Sequence, residues 1–345
     1  MKTIKPDIRY LLPILIFLCT GCNNQPKSNT SNDKPAATET EKKQPENLTE
    51  KKPIDTAEYN KLMKSLANGD TTGKWPAKGP YPLPGAILPY HRIVAFYGNL
   101  YSKRMGILGE IPRDEMLKKL KGEVDKWQAA DTSIPVIPAL HYVAVTAQGA
   151  AGKDGKHRLR MPFSQIDTIL NWAKKINALV FLDIQVGHST VAAEVPQLEK
   201  YLQMPNVHLG IDPEFSMKNG EVPGSKIGTF EAADINDAID YLASVVRKNN
   251  LPPKILVVHR FTERMVKDYA RIKKPQEVQI VMDMDGWGDK ILKKSSYLAY
   301  VKRDPVQFAG FKLFYKNDIK ADPNGLYTPQ ELLSFIPKPI YIQYQ

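Results

Sequence analysis

Eight apolar runs separated by segments of helical periodicity constrain the fold of this 345-residue chain more than any other feature. The runs are continuous and not alternating, which is typical of parallel strands covered on both faces. They lie at residues 92–99, 134–143, 179–187, 207–215, 254–262, 278–288, 308–316 and 339–345. Seven amphipathic segments separate them, which matches the rhythm of an α/β barrel. The sequence therefore predicts an α/β fold, a (β/α)8 TIM barrel whose final strand lies at the C-terminus with no eighth helix after it.

A doubly wound open sheet is the alternative architecture, and it usually carries a glycine-rich phosphate turn after its first strand. The segment after the first run here, FYGNLYSKRMGILGE, contains no GxGxxG pattern. The last helical segment opens with a capping box, in which Thr328 is the cap and Glu331 reaches back. A helical stretch at residues 55–66 is expected either to pack where the eighth helix is missing or to be the end of a tether.

The first 21 residues have the layout of a secretory signal peptide. Lys2, Lys5 and Arg9 precede the apolar run LLPILIFL, which is too short to span a bilayer. The following LCTGC, residues 18–22, resembles a bacterial lipobox, in which the cysteine after small residues is acylated. The resemblance implies that Cys22 carries palmitate-type chains as the mature N-terminus. It implies a lipoprotein of the cell envelope, held on the bilayer by Cys22, with its domain outside the cytoplasm.

Composition divides the rest of the chain into two regions. Residues 22–72 are polar and rich in Lys, Glu, Thr, Asn and Pro, so we expect a flexible tether ahead of a barrel domain at residues 73–345. The only cysteines are Cys19 and Cys22, which excludes disulfides and cysteine-based metal sites from the barrel. The net charge of +11 comes from dispersed lysines, which indicates a solubilising surface and no nucleic-acid partner.

Polar side chains gather where the apolar runs finish, which is where barrel enzymes place their sites. In strand order they are Tyr97, Asn99, His141, Tyr142, Asp183, Gln185, His188, Asp212, Glu214, His259, Arg260, Asp283, Asp285, Lys312, Tyr315 and Gln343. Each alone has a structural explanation, such as a carboxylate that caps a turn or a lysine that neutralises a neighbour. Burying five or more ionisable groups around one barrel mouth is costly unless they serve one another or a ligand. Their convergence therefore favours a functional site.

Aromatic residues also lie at the strand ends, and a ring face there can stack on a sugar. Trp287, in the glycine-flanked loop DGWGD, is the least core-like of them and the best candidate for a substrate platform. For Phe215 and Tyr142, packing in the core is the equal alternative.

Asp212 and Glu214 end the fourth run two residues apart, which on a strand puts them on one face with Cβ atoms roughly 6.5–7 Å apart. Like charges this close raise one of the two pKa values. This Asp-x-Glu resembles the strand-four motif of barrel glycoside hydrolases, notably chitinase-like and lysozyme-like families. The resemblance implies that Glu214 is the general acid, Asp212 its partner, and Asp283 or Asp285 the opposite carboxylate.

We expect the remaining strand-end side chains to bind the substrate, namely Tyr97, Asn99, His141, Asp183, Gln185, His259, Trp287, Lys312 and Tyr315. Residues 84–345 also resemble a group of bacterial secreted proteins and lipoproteins without an established activity. The shared phrases are FYGN…LGE, IDPEF, VVHRFT, DMDGWG and FAGFKLFYK. This second resemblance implies a barrel and export.

Three functions stay open. The first is a glycosidase that acts on a glycan without a cofactor. The second is a metal-dependent hydrolase with one or two divalent ions on the barrel rim. Its ligands would come from His141, Asp183, His188, Asp212, Glu214, His259 and Asp283. The third is a non-catalytic lipoprotein that binds a glycan or a partner. This function would be favoured if backbone amides and Lys312 occupied the carboxylates of Asp212 and Glu214.

Overall fold

The computed structural model describes residues 51–345, so the signal-like segment, Cys22 and the first part of the predicted tether lie outside the described residues. Eight parallel strands close into a barrel, with β8 paired to β1 and β1 to β2. They are β1 (Arg92–Gly98), β2 (Val136–Ala147), β3 (Leu179–Ile184), β4 (Val207–Ile211), β5 (Lys254–Arg260), β6 (Val278–Met284), β7 (Phe308–Leu313) and β8 (Tyr341–Tyr344). The predicted (β/α)8 barrel is confirmed.

Helices surround the strands and fill most of the connections between them. They are α1 (Thr56–Ala67), α2 (Ile107–Glu110), α3 (Arg113–Ala130), α4 (Phe163–Lys174), α5 (Val191–Glu194), α6 (Glu199–Leu202), α7 (Ala232–Asn249), α8 (Lys290–Tyr297), α9 (Asn317–Ala321) and α10 (Pro329–Leu333). The capping box of Thr328 and Glu331 is present at the start of α10. None of the described helices is both long enough and apolar enough to cross a membrane.

Short elements complete the loops. The strand Arg158–Arg160 pairs antiparallel with the end of β2, and Phe230–Glu231 pairs with Val266–Lys267. A π-helical turn at Leu298–Lys302 continues α8, and 3-10 turns cover Val195–Leu198, Pro213–Phe215, Glu263–Met265 and Tyr269–Arg271.

Side chains alternate between the two faces of each strand, and the inner face changes character along the barrel axis. Nearer the strand starts, the interior is a cluster of apolar residues that includes Ala139, Phe181, Val257 and Val281. Two residues further along the same strands, the inward positions are His141, Asp183, His259 and Asp283, all completely buried. The C-terminal half of the barrel interior is therefore polar, and it lies directly on an apolar lower half.

The helix α1 packs beneath the barrel and not in place of an eighth helix. Its buried Met63 and Leu66 belong to the inner apolar cluster at the start of the strands. Helix α3 packs against β1 and β2, and its Trp127 indole donates a hydrogen bond to the Tyr344 hydroxyl of β8 at 3.0 Å. The expectation that residues 55–66 fill the position of the missing helix is wrong, because the apolar stripe of α1 matches the open bottom of the barrel.

Candidate functional site

A cavity of about 870 Å³ lies at the C-terminal ends of the strands. Three carboxyl groups line it, those of Asp212, Glu214 and Asp285, together with Gln185 and Lys312. Its aromatic lining consists of Tyr97, Phe215, Phe261, Trp287, Tyr300 and Phe314. The cavity therefore combines a few convergent polar groups with apolar ring faces, which is the usual composition of a small-ligand site.

The two carboxyl groups of the Asp-x-Glu motif, Asp212 and Glu214, have different roles in the structure. Asp212 follows β4 and caps the 3-10 turn, where its Oδ1 accepts a hydrogen bond from the Glu214 amide at 2.9 Å. The Gln185 amide donates to its other oxygen at 3.4 Å. Burial, and then the negative charge of Glu214, raise the pKa of Asp212 well above its usual value. Asp212 thus fixes the turn that carries Glu214 at the cavity.

Glu214 is a second cavity carboxyl group whose pKa is raised above its usual value. Burial is the largest cause and the charge of Asp285 the second, and together they raise the pKa of Glu214 to about 7. Lys312 and His259 oppose this shift. A carboxyl group of this kind is protonated below neutrality and can donate its proton to a ligand.

Asp285 is held in the charged form by two basic neighbours. The Lys312 ammonium lies 2.8 Å from its Oδ1, and His259 Nδ1 lies 3.2 Å from its Oδ2. Burial opposes ionisation, but Lys312 and His259 outweigh it and lower the pKa of Asp285. The same ammonium lies 3.8 Å from the centre of the Tyr97 ring, so it is fixed by both contacts.

Beneath the cavity, Asp183 lies between two histidines in the polar half of the barrel interior. Its Oδ1 is 3.5 Å from His141 Nε2 and 3.6 Å from His259 Nε2, and its Oδ2 accepts from the Tyr97 hydroxyl at 3.1 Å. Burial lowers the pKa of His141 to about 4. Burial acts the same way on His259, but Asp183 and Asp285 outweigh it and raise the pKa of this histidine well above its usual value.

The remaining strand-end carboxylate, Asp283, also lies below the cavity and not in its wall. It is completely buried, with its Oδ2 3.3 Å from His259 Nδ1. Burial raises the pKa of Asp283. Of the two aspartates proposed to face Glu214, only Asp285 lines the cavity.

Ten of the sixteen strand-end residues do not line the cavity. Five of them belong to the buried layer beneath it, namely His141, Asp183, His259, Asp283 and Gln343, and the side chains of the other five have partners elsewhere. The Asn99 amide donates to the Val143 carbonyl, the Tyr315 hydroxyl to Glu123, and the Tyr142 hydroxyl to Gln165. Arg260 pairs with Asp304 at 3.0 Å, and His188 Nε2 lies 2.7 Å from the Glu221 carbonyl oxygen. A place at a strand end does not make a residue a neighbour of the ligand site, since alternate strand positions face outward and a residue beyond the strand end follows the path of the loop.

Sequence reasoning missed Tyr341, which belongs to the buried network. Its hydroxyl lies 2.6 Å from His141 Nδ1 and accepts a hydrogen bond from the Gln343 amide at 2.9 Å. The signal was present, because Tyr341 and Gln343 are two residues apart in PIYIQYQ and so share the inner face. Thr146, Phe261, Tyr300 and Phe314 of the cavity wall were also missed, since nothing in their spacing sets them apart.

Fold and site together define a (β/α)8 barrel protein with ionisable side chains converging at the C-terminal mouth. No protein-family model matches the chain. No curated protein matches it in sequence.

Several solved barrel enzymes are similar to it at low identity. Dihydropteroate synthase of Burkholderia cenocepacia, complexed with 7,8-dihydropteroate, shares 10% identity over 76% of this chain and 87% of its own, with a TM-score of 0.35. A hyperthermophilic endo-β-1,4-glucanase in complex with substrate shares 8% over 61% and 77%, with a TM-score of 0.33. A ruminal GH26 endo-β-1,4-mannanase shares 12% over 73% and 58%, with a TM-score of 0.32.

The buried network depends on a glycine, which gives a first prediction. A Cβ added at Gly210 would overlap His141 Nε2 and Asp183 Oδ1. We expect Gly210→Ala to lower the free energy of unfolding by about 1–3 kcal/mol, because an overpacked core must displace its neighbours. Urea unfolding measures the change.

The control is Gly122→Ala on helix α3, where an added Cβ meets nothing within 4 Å. A helical glycine is about 0.5–1 kcal/mol less favourable than alanine, so this variant should gain stability. Equal unfolding free energies for the two variants would contradict the close packing around Gly210.

Proposed function

We propose that this protein is an envelope-anchored glycoside hydrolase-like enzyme in which Glu214 is the general acid and Asp285 the base or nucleophile. One observation carries the proposal: Glu214 and Asp285 line the same open cavity, where they follow β4 and β6, the two strands that flank β5. Glycosidases need such a pair of carboxyl groups, one to protonate the leaving oxygen and one to act on the opposite side of the sugar.

The surroundings of the two groups suit these different roles. Glu214 would give its proton to the glycosidic oxygen as the bond to the anomeric carbon breaks, and burial favours its protonated form. Asp285 would assist water or attack the anomeric carbon, and Lys312 at 2.8 Å stabilises its carboxylate. Asp212 does not react in this scheme, because its oxygens hold the turn that orients Glu214.

The cavity wall supports a carbohydrate as the substrate class. Trp287 is 61% exposed and lines the cavity, so its ring is open to stacking on a sugar. Tyr97 and Phe261 add further ring surface, while Gln185 offers an amide to hydroxyl groups. A cavity lined by ring faces and a few polar groups fits the flat C–H face and the hydroxyl groups of a sugar ring.

Asp212 also supports a second candidate, a non-catalytic barrel that binds a glycan. One of the two motif carboxylates is used by a backbone amide, as expected of a structural cap. Lys312, however, pairs with Asp285 and leaves Glu214 facing the cavity. The hydrolase is therefore the better-supported function.

The catalytic role of Glu214 is tested by Glu214→Gln, assayed for release of reducing ends from a panel of bacterial and host glycans. We expect turnover to fall at least a thousandfold, because the amide cannot protonate the leaving oxygen, while glycan affinity changes less than about threefold. Glu263→Gln, at a carboxylate whose side chain is 74% exposed, should behave as the parent.

Turnover retained in Glu214→Gln would remove Glu214 as the acid. Binding of a glycan by the parent without any turnover would select the non-catalytic function instead.

The raised pKa of Glu214 predicts a pH dependence of stability that can be measured without a substrate. Its folded pKa of about 7 exceeds that of an unfolded glutamate, so its contribution to stability is full below about pH 4.5 and is lost as pH rises through 7. Glu214→Gln has no ionisable group at this position, so it does not lose this stability as pH rises. Its unfolding free energy relative to the parent should therefore rise by about 2–3 kcal/mol between pH 4 and pH 8 in urea unfolding. Parallel pH profiles for parent and variant would show that the carboxyl group is not perturbed.

Anchoring at the envelope rests on the LCTGC segment, which lies outside the described residues. Cys22→Ser removes the thiol that would carry the lipid, so we expect the protein to move from the membrane fraction to the soluble fraction of fractionated cells. Cys19→Ser is the matched control and should stay with the membranes. An unchanged distribution of Cys22→Ser would reject acylation at this residue.

A further inference from the structure

We propose that His141, Asp183 and His259 bind one divalent transition-metal ion, such as Zn²⁺, beneath the floor of the cavity. Within residues 51–345 these are the three side chains whose ligand atoms all lie within 4.8 Å of one another. The inference goes beyond the proposed hydrolysis, because neither Glu214 nor Asp285 is one of these ligands.

The spacing of the three atoms fits a shared ion better than hydrogen bonds. Asp183 Oδ1 lies 3.5 Å from His141 Nε2 and 3.6 Å from His259 Nε2, whereas an N–H···O bond usually spans 2.7–3.2 Å. All three atoms are buried, and none of them has a hydrogen-bond partner within the described part of the chain, residues 51–345. A cation equidistant from them would lie about 2.0–2.4 Å from each, which brackets the usual Zn–N and Zn–O distances.

Each of the three side chains is also oriented by a second contact on its far side. The Tyr97 hydroxyl donates to Asp183 Oδ2, and His141 Nδ1 lies 2.6 Å from the Tyr341 hydroxyl. His259 Nδ1 faces carboxylate oxygens of Asp283 at 3.3 Å and Asp285 at 3.2 Å. Metal-binding histidines characteristically use the other ring nitrogen in this way, which fixes the ring and directs the free nitrogen at the ion.

Space and charge at this position also suit a cation. Gly210 on β4 pairs with Asp183, and a side chain at this position would overlap both Asp183 and His141. Five carboxyl groups surround the cluster or lie just above it, those of Asp183, Asp212, Glu214, Asp283 and Asp285, and Lys312 pairs with one of them. Because metal binding releases protons, these carboxyl groups can ionise to match the charge of a buried divalent ion.

The ligand set indicates the class of metal. Two imidazole nitrogens and one carboxylate oxygen suit Zn²⁺ and similar first-row ions better than Ca²⁺ or Mg²⁺, which prefer oxygen ligands. Tyr97 lines the cavity and also contacts Asp183, so this side chain connects the cavity wall to the cluster.

The test uses the full-length protein, stripped of metal with a chelator and titrated with Zn²⁺ against a chromophoric competitor. We expect one equivalent per chain and a rise of several degrees in the unfolding midpoint, since the ion binds the folded state alone. Co²⁺ in the same site should give visible absorption bands, and X-ray absorption should count two imidazole nitrogens around the bound metal.

Asp183→Asn keeps the shape of the side chain but removes the anionic ligand, and it should weaken Zn²⁺ binding at least a hundredfold. The matched control is His208→Asn, since His208 is another fully buried barrel histidine but its Nδ1 accepts a hydrogen bond from the Ile255 amide. This variant should bind one equivalent as the parent does.

Two results would overturn the site. The first is no Zn²⁺ binding by the parent at micromolar concentrations, which would leave only a protonated histidine network between the aspartates. The second is a bound ion with fewer than two imidazole nitrogens around it, or an ion that Asp183→Asn binds as tightly as the parent does. Either observation would show that the ion binds elsewhere in the protein. The number of imidazole nitrogens around the metal bound by the parent tests the site even if Asp183→Asn fails to fold.

Discussion

The burial of Asp183 between His141 and His259 is the constraint on which the site depends. A carboxylate in a barrel interior is stable only with compensating positive charge or hydrogen bonds. This barrel supplies two imidazoles on strands β2 and β5 and the Tyr97 hydroxyl on β1. Four strands are thereby tied through one side chain, and the apolar layer below excludes water from the group. The polar half of the interior is thus a single electrostatic unit.

That unit sets the properties of the cavity above it. His259 contacts Asp183 below and Asp285 at the cavity wall, so the buried layer and the wall share one cation. Lys312 completes the neutralisation of Asp285 from β7. Among residues 51–345, no cation forms an ion pair with Glu214, and burial is the largest cause of its raised pKa. Two carboxyl groups of one cavity therefore favour opposite protonation states, which is the requirement of acid–base catalysis.

The two levels of the site also separate two kinds of chemistry. In the proposed hydrolysis, proton transfer belongs to the cavity wall, which Glu214 and Asp285 line. A metal ion would belong to the layer below, where it would hold His141 and His259 in place and tune Asp285 through the His259 ring. Tyr97 lies between the levels and contacts both. Occupancy of the lower level would consequently change the electrostatics of the upper one.

The sequence by itself determined the barrel, the order of its strands along the chain and the capping box at Thr328, because apolar periods, run lengths and helix caps depend on neighbouring residues. It did not determine the strand ends, since β4 ends at Ile211 and β6 at Met284, whereas the predicted runs continue to 215 and 288. It also indicated the polar ends of the strands, but not which side chains would meet. Tertiary structure decided that Asn99 and Tyr315 face away, that Tyr341 joins His141, and that Asp212 caps a turn while Glu214 faces the cavity. The physical reason is that distances across a closed barrel depend on strand register and inward orientation, and residues far apart in the chain set both.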